Sequence, residues 1–440
     1  MRQPTSPLSR RSVLAGALLA PALARTTIAQ AQAKPIRIGV LYDLSGVFAA
    51  AGSVAASIGT QLAIDWVNEK GGVLGKYKVE AVPADTQSKA DVALNEAERL
   101  MSQENCDILL GIYSSAHAVP IAPRVDAQKK ILWITVATSI AIVKDRNLKY
   151  TFHPQVNTDQ YAETTIAFLE ANTKKLGAAS VKDLKVAIMH EDGPYGAGIG
   201  NHAEEVAKQK GMQVVVKEGY AATTPDLSAL VTKLRRARPD VIVHAGYNPD
   251  ITLFFRQAGE AGLKFKALIG EGAGYAQYDK LVESVGNMSD FVFNLDPVAG
   301  QLLDPKTLAP GLGDLIQLMV TRYKAKTNAH EVPPHVSMGF NNTWILLEKV
   351  LPVAIQKYNG VDAEAIRKAA LDLDIPVGGT MQGYGVKFAP PGDRIAGQNL
   401  RSFPVLTQYV GKKSVPVFPT EVAAAEPVLP LPASHPLAAR

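Results

Sequence analysis

The polarity of the chain alternates between two periods. Apolar runs of strand length, "IRIGVLY" from Ile36, "YKVEAVPAD" from Tyr77, "DILLGIY" from Asp107 and "ILWITVAT" from Ile131, are separated by stretches whose apolar residues return every three or four positions. Four βα units in series predict a parallel sheet. The helix after the first run carries Ile58, Leu62 and Trp66 on one face and is predicted to stop at Gly71-Gly72. A second series starts after Tyr150, with "LKVAIMH" from Leu184, "MQVVVKEGY" from Met212, "DVIVHAGY" from Asp240 and "KALIGEG" from Lys266. Inside it, Leu227, Leu230, Val231 and Leu234 stand at helical spacing between Pro225 and Pro239, as a crossover helix should. Helical patterns follow over 312–326, 337–356 and 363–371, then strand-like runs with turns in "GVKFAPPGDRIAGQNLRSFPVLTQYV". The closing "VPVFPTEVAAAEPVLPLPASHPLAAR" has no period and is rich in proline and alanine, which predicts an extended or disordered tail.

Residues 1–33 stand apart from this pattern. "SRRSVLAGALLAPALA" is a basic head followed by small apolar residues, the form of an export signal, and Arg10-Arg11 fits the twin-arginine type apart from Val and Ala where Phe and Lys are usual. The general secretory route is the alternative. Ala31-Gln32-Ala33 has the small-x-small form of a cleavage site, which predicts a mature chain from Lys34. The apolar run from Val13 to Ala24 falls short of the roughly twenty residues that span a bilayer.

Charge then excludes more than it suggests. Of the chain's 46 basic and 41 acidic residues, the leader holds four arginines and no acid. The mature chain is therefore close to neutral, and a pI near 9.0 is poor support for nucleic-acid binding. A single cysteine, Cys106, allows neither an internal disulfide nor a cysteine metal cluster. About 400 mature residues exceed what one core usually organises, which favours two domains.

An α/β sheet binds its ligand beyond the carboxyl ends of its strands, so the candidate chemistry is whatever follows each strand. The first series ends in "DLSGVFAAAG", "DTQSK", "SSAH" and "ATSI"; the second ends in "EDGPYGAG", "YNPD" and "EGAGY". Ser114 and Ser115 would offer hydroxyls and free backbone N–H groups at the positive end of a helix, a site for a carboxylate, and Ala137-Thr138 repeats that chemistry one strand over. A plain helix cap accounts equally for either serine alone. Glu271 lies between two glycines and would suit a ligand ammonium, or else serve as a turn carboxylate. Tyr195 and Tyr247 would close over an apolar ligand body, or fill a core.

Catalytic patterns are weak. The glycines at 196, 198 and 200 match neither a phosphate loop nor the dinucleotide fingerprint, no Gly-x-Ser-x-Gly elbow occurs, and the histidines are too scattered for zinc. An amidase or hydrolase would need a nucleophile and base that the sequence does not display. No enzyme, cofactor or metal is expected.

Taken together, "RIGVLYDLSG", "AIDWVNEKGGVLG", "ADTQSKADVALNEAERLM", "HEDGPYGAG", "AGYNPD" and "IGEGAGY" resemble the periplasmic leucine/isoleucine/valine-binding protein family, the substrate-binding components of ABC importers, from about Lys34 to Val410. The resemblance implies a type I periplasmic binding fold, α/β, with two doubly wound parallel-sheet lobes joined by a three-segment hinge. It places lobe 1 at 34–153 and 290–377, lobe 2 at 154–289 and 378–412, and the tail at 413–440. It also implies that Ser114, Ala137 and Thr138 hold a ligand carboxylate, that Glu271 takes the α-amino group, and that Tyr195 and Tyr247 form an aromatic wall.

Two departures put branched-chain specificity in question. Ala51 stands where leucine binders carry an aromatic, implying a larger or differently shaped pocket. The family's frequent disulfide is absent, with Thr86 and Tyr113 at its places, and Tyr113 is expected to project into the pocket. The function implied is an exported, periplasmic, monomeric receptor that binds a branched-chain, aromatic or related amino acid by hinge closure and delivers it to an ABC permease in the inner membrane. The alternatives are a binder of an aromatic or aliphatic carboxylic acid lacking the amino group, and a ligand-sensing subunit.

Overall fold

The computed structural model describes residues 33–439, so the leader predicted over 1–33 lies almost wholly outside the described residues. In the first lobe, β1 (Ile36–Tyr42), β2 (Val79–Asp85), β3 (Ile108–Gly111), β4 (Ile131–Ile134) and β5 (Thr151–Phe152) make a wholly parallel sheet in the order β2-β1-β3-β4-β5. In the second, β6 (Lys185–Glu191), β7 (Gln213–Tyr220), β8 (Val241–Ala245), β9 (Ala267–Gly270) and β10 (Phe293–Asp296) repeat it as β7-β6-β8-β9-β10. β11 (Val405–Val410) and β12 (Lys413–Phe418) then extend that sheet antiparallel. In each sheet the order reverses beside the first strand, so each has a switch point at its carboxyl edge.

The apolar stripes fix the helices onto these sheets. α1 (Val54–Glu69), α2 (Ala90–Ser102) and α3 (Ser115–Ala127) connect the first four strands, and α4 (Thr158–Ala171) opens the second lobe behind a capping box on Asn157. α5 (Pro194–Gln209), α6 (Ser228–Ala237), α7 (Asn248–Glu260) and α8 (Tyr278–Val285) serve the second sheet. The chain then returns: α9 (Leu312–Thr327), α10 (Pro334–Trp344), α11 (Leu351–Tyr358) and α12 (Ala363–Leu371) belong to the first lobe. Two glycines permit that return. A Cβ on Gly59 would lie 2.2 Å from the Val336 carbonyl oxygen, and one on Gly339 would lie 2.0 Å from that of Ala56, so α1 and α10 meet backbone to backbone.

Three expectations about boundaries and the tail need correction. The second crossing follows Asp296 rather than Asp290, because "FNLD" is a strand of the second sheet. The third lies beyond Asn399, not near Val377. Residues 378–399 stay on the first lobe, where the Phe388 ring packs 5.6 Å from Trp133 and 5.0 Å from Phe152 and Arg394 pairs with Asp145 at 2.7 Å. The tail is ordered structure: Lys413–Phe418 pairs with β11, and Leu431, Leu437 and Ala438 are buried in the second lobe's core. Its composition misled because disorder requires low hydrophobicity as well as absent periodicity, and prolines lower the entropy lost on docking.

Candidate functional site

The carboxyl edges of the two sheets face each other across a cleft. On the first-lobe side, Ser114 stays extended, with φ −82° and ψ 126°, and α3 begins at Ser115. The Ser115 hydroxyl accepts the Ser139 N–H at 3.1 Å, which ties the loop after β4 to the start of this helix. Among the described residues, the N–H groups of Ser115, Ala116 and Thr138 donate to no protein group. The first two open the N-terminus of α3 and the third lies in the loop after β4 beside it, and together they form a cradle suited to an anion.

On the second-lobe side two acids stand next to each other at the ends of adjacent strands, Glu271 after β9 and Asp296 closing β10. One face of α4 holds both. The Tyr161 hydroxyl donates to Asp296 Oδ1 at 2.5 Å, and one turn on, the Thr165 hydroxyl donates to Glu271 Oε1 at 2.7 Å. The other oxygen of each, Glu271 Oε2 and Asp296 Oδ2, is buried without a partner. Burial pushes Glu271 up to about 8, against the pull of the Thr165 hydroxyl and with some help from Asp296; burial likewise pushes Asp296 up to about 7. Two adjacent buried carboxyl groups with free oxygens are prepared for a cation.

Rings close the remaining walls. Tyr195, at the start of α5, donates to the Glu271 carbonyl, and Tyr247, at the start of α7, lies 5.7 Å from it ring to ring. Phe48 reaches across from the first lobe to within 4.7 Å of Tyr247. His335, the second residue of α10, accepts a hydrogen bond at Nδ1 from Gln277 of the second lobe at 2.8 Å, so its Nε2 carries the proton and lies 3.8 Å from Asp296 Oδ2. Burial lowers His335 to about 3, which keeps it neutral. The Phe48–Tyr247 and Gln277–His335 contacts both bridge the lobes.

Of the residues singled out from sequence, Tyr113, Thr138, Tyr195 and Tyr247 line one chamber, together with Ser115, Tyr161, Asp296 and His335. Ser114 does not line it, although its hydroxyl is buried and unpartnered. Ala137 is a correction: its N–H bonds the Ile112 carbonyl and its own carbonyl accepts from Gln155 at 3.0 Å and from His153, so its backbone is spent inside the lobe. Glu271 is fully buried just behind the wall. Of the two alternatives left by Ala51, a larger or a differently shaped pocket, the structure has the second at that point: the Tyr113 hydroxyl bonds the Ala51 carbonyl at 2.7 Å, and Phe48 brings in the aromatic from the same loop.

Sequence reasoning passed over Phe48, Tyr161, Asp296 and His335. Phe48 had a usable signal, as the aromatic in a loop between Gly46 and Gly52. Asp296 had one too, since it ends a strand in "FVFNLDP". Among the described residues no group of His, Cys, Asp or Glu is arranged to hold a metal, and no helix is long and apolar enough to cross a membrane.

The geometry has known counterparts. Residues 35–401 match the family model described as periplasmic binding protein. The chain is 32% identical over 397 residues to Leu/Ile/Val-binding protein homolog 7 of Brucella abortus, covering 90% of this chain and 94% of that protein. It is 32% identical over 415 residues to homolog 8 of the same organism, covering 94% and 98%. Among solved structures, the branched-chain amino acid transporter substrate binding protein LivJ of Streptococcus pneumoniae, in complex with isoleucine, superposes with a TM-score of 0.70 at 19% identity over 90% of this chain and all of that one. A fatty acid ABC transporter substrate-binding protein from Thermomonospora curvata reaches 0.69, also at 19% identity, over 90% and 95%. The chain belongs to the periplasmic leucine/isoleucine/valine-binding protein family, whose members are substrate-binding proteins of transporters and not enzymes.

Proposed function

We propose that this chain is the periplasmic receptor of an ABC importer and that its ligand is an α-amino acid held between the lobes. The carboxylate sits on the N–H groups of Ser115, Ala116 and Thr138 and on the Thr138 hydroxyl; the ammonium sits against Glu271 and Asp296; Phe48, Tyr113, Tyr195 and Tyr247 cover the side chain. The observation that carries this reading is the cradle of unspent N–H donors on the first lobe opposite the two adjacent unspent oxygens of Glu271 and Asp296 on the second; the first lobe's own unpartnered Asp43 Oδ2 belongs to a carboxylate set beside His117. Hydrogen bonds to charged groups contribute about 1.5–3 kcal/mol each. Three or four of them, with the covered apolar area, outweigh an association cost of the order of 4–15 kcal/mol and give micromolar affinity or better.

The rings touch across the cleft, so entry requires the lobes to part about the three hinge segments. The closed form is then what a permease in the inner membrane reads. Export through the twin-arginine leader, cleavage near Ala33 and a monomeric working form complete the proposal. An acid without the amine is the second reading, favoured by the four aromatic side chains, but it leaves two buried carboxyl groups unanswered. Calorimetry with L-leucine and its deaminated analogue 4-methylpentanoate separates them. Leucine is expected to bind at least about a hundredfold more tightly, the loss of one buried charge partner. Equal affinity would transfer the assignment to the amine-free acid, and silence toward both and toward every other amino acid would end it.

A further inference from the structure

Asp296 faces two spaces. The aromatic chamber holds about 30 Å³, room for one or two waters. Beyond Asp296 lies a lateral cavity of about 270 Å³, between β10, β11 and the start of α8 in the second lobe and the α9–α10 connection of the first. Asp296 lines both spaces, and His335 on the chamber side is hydrogen-bonded at 2.8 Å to Gln277 on the cavity side.

The lateral walls are one-sided in their chemistry. Asn294, Asp296 and Gln301 line the cavity, and each keeps one side-chain oxygen buried without a hydrogen-bond partner. Asn294 and Asp296 are each 3% exposed. Gln301 spends its amide N–H on the Val332 carbonyl at 2.8 Å, which leaves its oxygen as the free end. Asp279 and Glu331 add carboxylates to the same walls, against the one cation of Lys280. Buried acceptors are normally paired, and several unpaired around one space call for a group rich in N–H donors.

We propose that the amino-acid chamber continues past Asp296 and the Gln277–His335 hydrogen bond into this lateral cavity, which receives the far end of a ligand side chain bearing a guanidinium, ammonium or carboxamide group. This rests on the amino-acid reading above and narrows it to a substrate class: α-amino acids with long, donor-tipped side chains. Asp296 then lies between the α-ammonium and the distal donor, and Asn294 and Gln301 meet the tip.

The test titrates the mature chain with L-arginine, L-glutamine, L-norleucine and L-leucine. Arginine or glutamine is expected to bind about tenfold or more tightly than norleucine, the size of one or two charge-assisted hydrogen bonds. Gln301→Met should erase that advantage, and Ala299→Leu, which fills the cavity, should weaken the long ligands while leaving leucine within about twofold. Should one variant melt early, the other decides. If leucine equals arginine and glutamine and neither variant changes the order, the lateral cavity is no part of the site, and the amino-acid reading stands without it. If none of the four binds, that underlying reading fails and this one falls with it.

Discussion

The two lobes share a strand order and differ at their strand ends. The βα strands of both sheets run parallel, so both lobes point helix N-termini at the cleft, and each such terminus carries partial positive charge. The second lobe neutralises its own. Glu191 accepts the N–H groups of Gly193 and Gly196 at 2.6 Å each where α5 begins, and Asp250 accepts the Tyr247 N–H at 2.9 Å where α7 begins. The first lobe places no acid in the first turn of α3: its start holds serines, and the N–H groups of Ser115 and Ala116, with that of Thr138 after β4, stay open. On the reading proposed above, one architecture serves an anion in one lobe and a cation in the other, according to whether the lobe answers its own helices.

The sharpest way to break this contrast is Glu271→Gln. The substitution keeps shape and removes the carboxyl group that an arriving ammonium would ionise, so amino-acid affinity should fall by about 3 kcal/mol, roughly a hundredfold, in calorimetry. Binding of 4-methylpentanoate should hold, since it brings no cation and leaves Glu271, held up at about 8 by burial, protonated. A parallel loss for both ligands would mean that Glu271 only braces Thr165 and the wall.

Acidity gives a second, smaller test. In the folded chain burial holds Glu271 at about 8 and both Asp296 and Asp250 at about 7, against ordinary values of 4.5 and 3.8. Across that interval the folded protein retains protons that the unfolded chain has released, so their contribution to stability is lost as pH rises toward 8. His117 and His335, lowered by burial to about 4 and about 3, act in the opposite sense: their contribution is lost as pH falls below 6.5. Between pH 6.5 and 8 the acids act with little opposition. The ligand-free protein should lose about 1–2 kcal/mol there, read as a falling melting temperature, while the rise in melting temperature given by leucine grows. Glu271→Gln should make both trends shallower, most of all above pH 7, and leave the part that Asp296 and Asp250 carry; an unchanged slope would place the titration elsewhere.

Legibility followed the same divide. The parallel strands, their crossover helices and the ends at Ser115, Thr138, Tyr195, Tyr247 and Glu271 could be read because each follows an apolar run with a clear period. Tyr161 and Thr165 could not, since nothing local says that a helix face packs against two strand ends from over a hundred positions away. His335 reaches the chamber only because Gly59 and Gly339 let α10 press on α1. The docked tail was missed for a related reason: Phe265 pairs with Ala438, a contact between distant segments that no window of sequence contains.

The mildest expected effect belongs to the first lobe. Thr138→Ala removes one hydroxyl from the cradle but leaves the Thr138 N–H and the first N–H groups of α3 in place, so the loss should be about 1 kcal/mol, five- to tenfold in affinity. Unlike Glu271→Gln, it should fall equally on leucine and on 4-methylpentanoate, because both carry the carboxylate that this lobe holds. The pair of variants forms a cycle. If Thr138→Ala spared the deaminated acid, the carboxylate would not lie on the first lobe, and the division of labour between the lobes would be reversed.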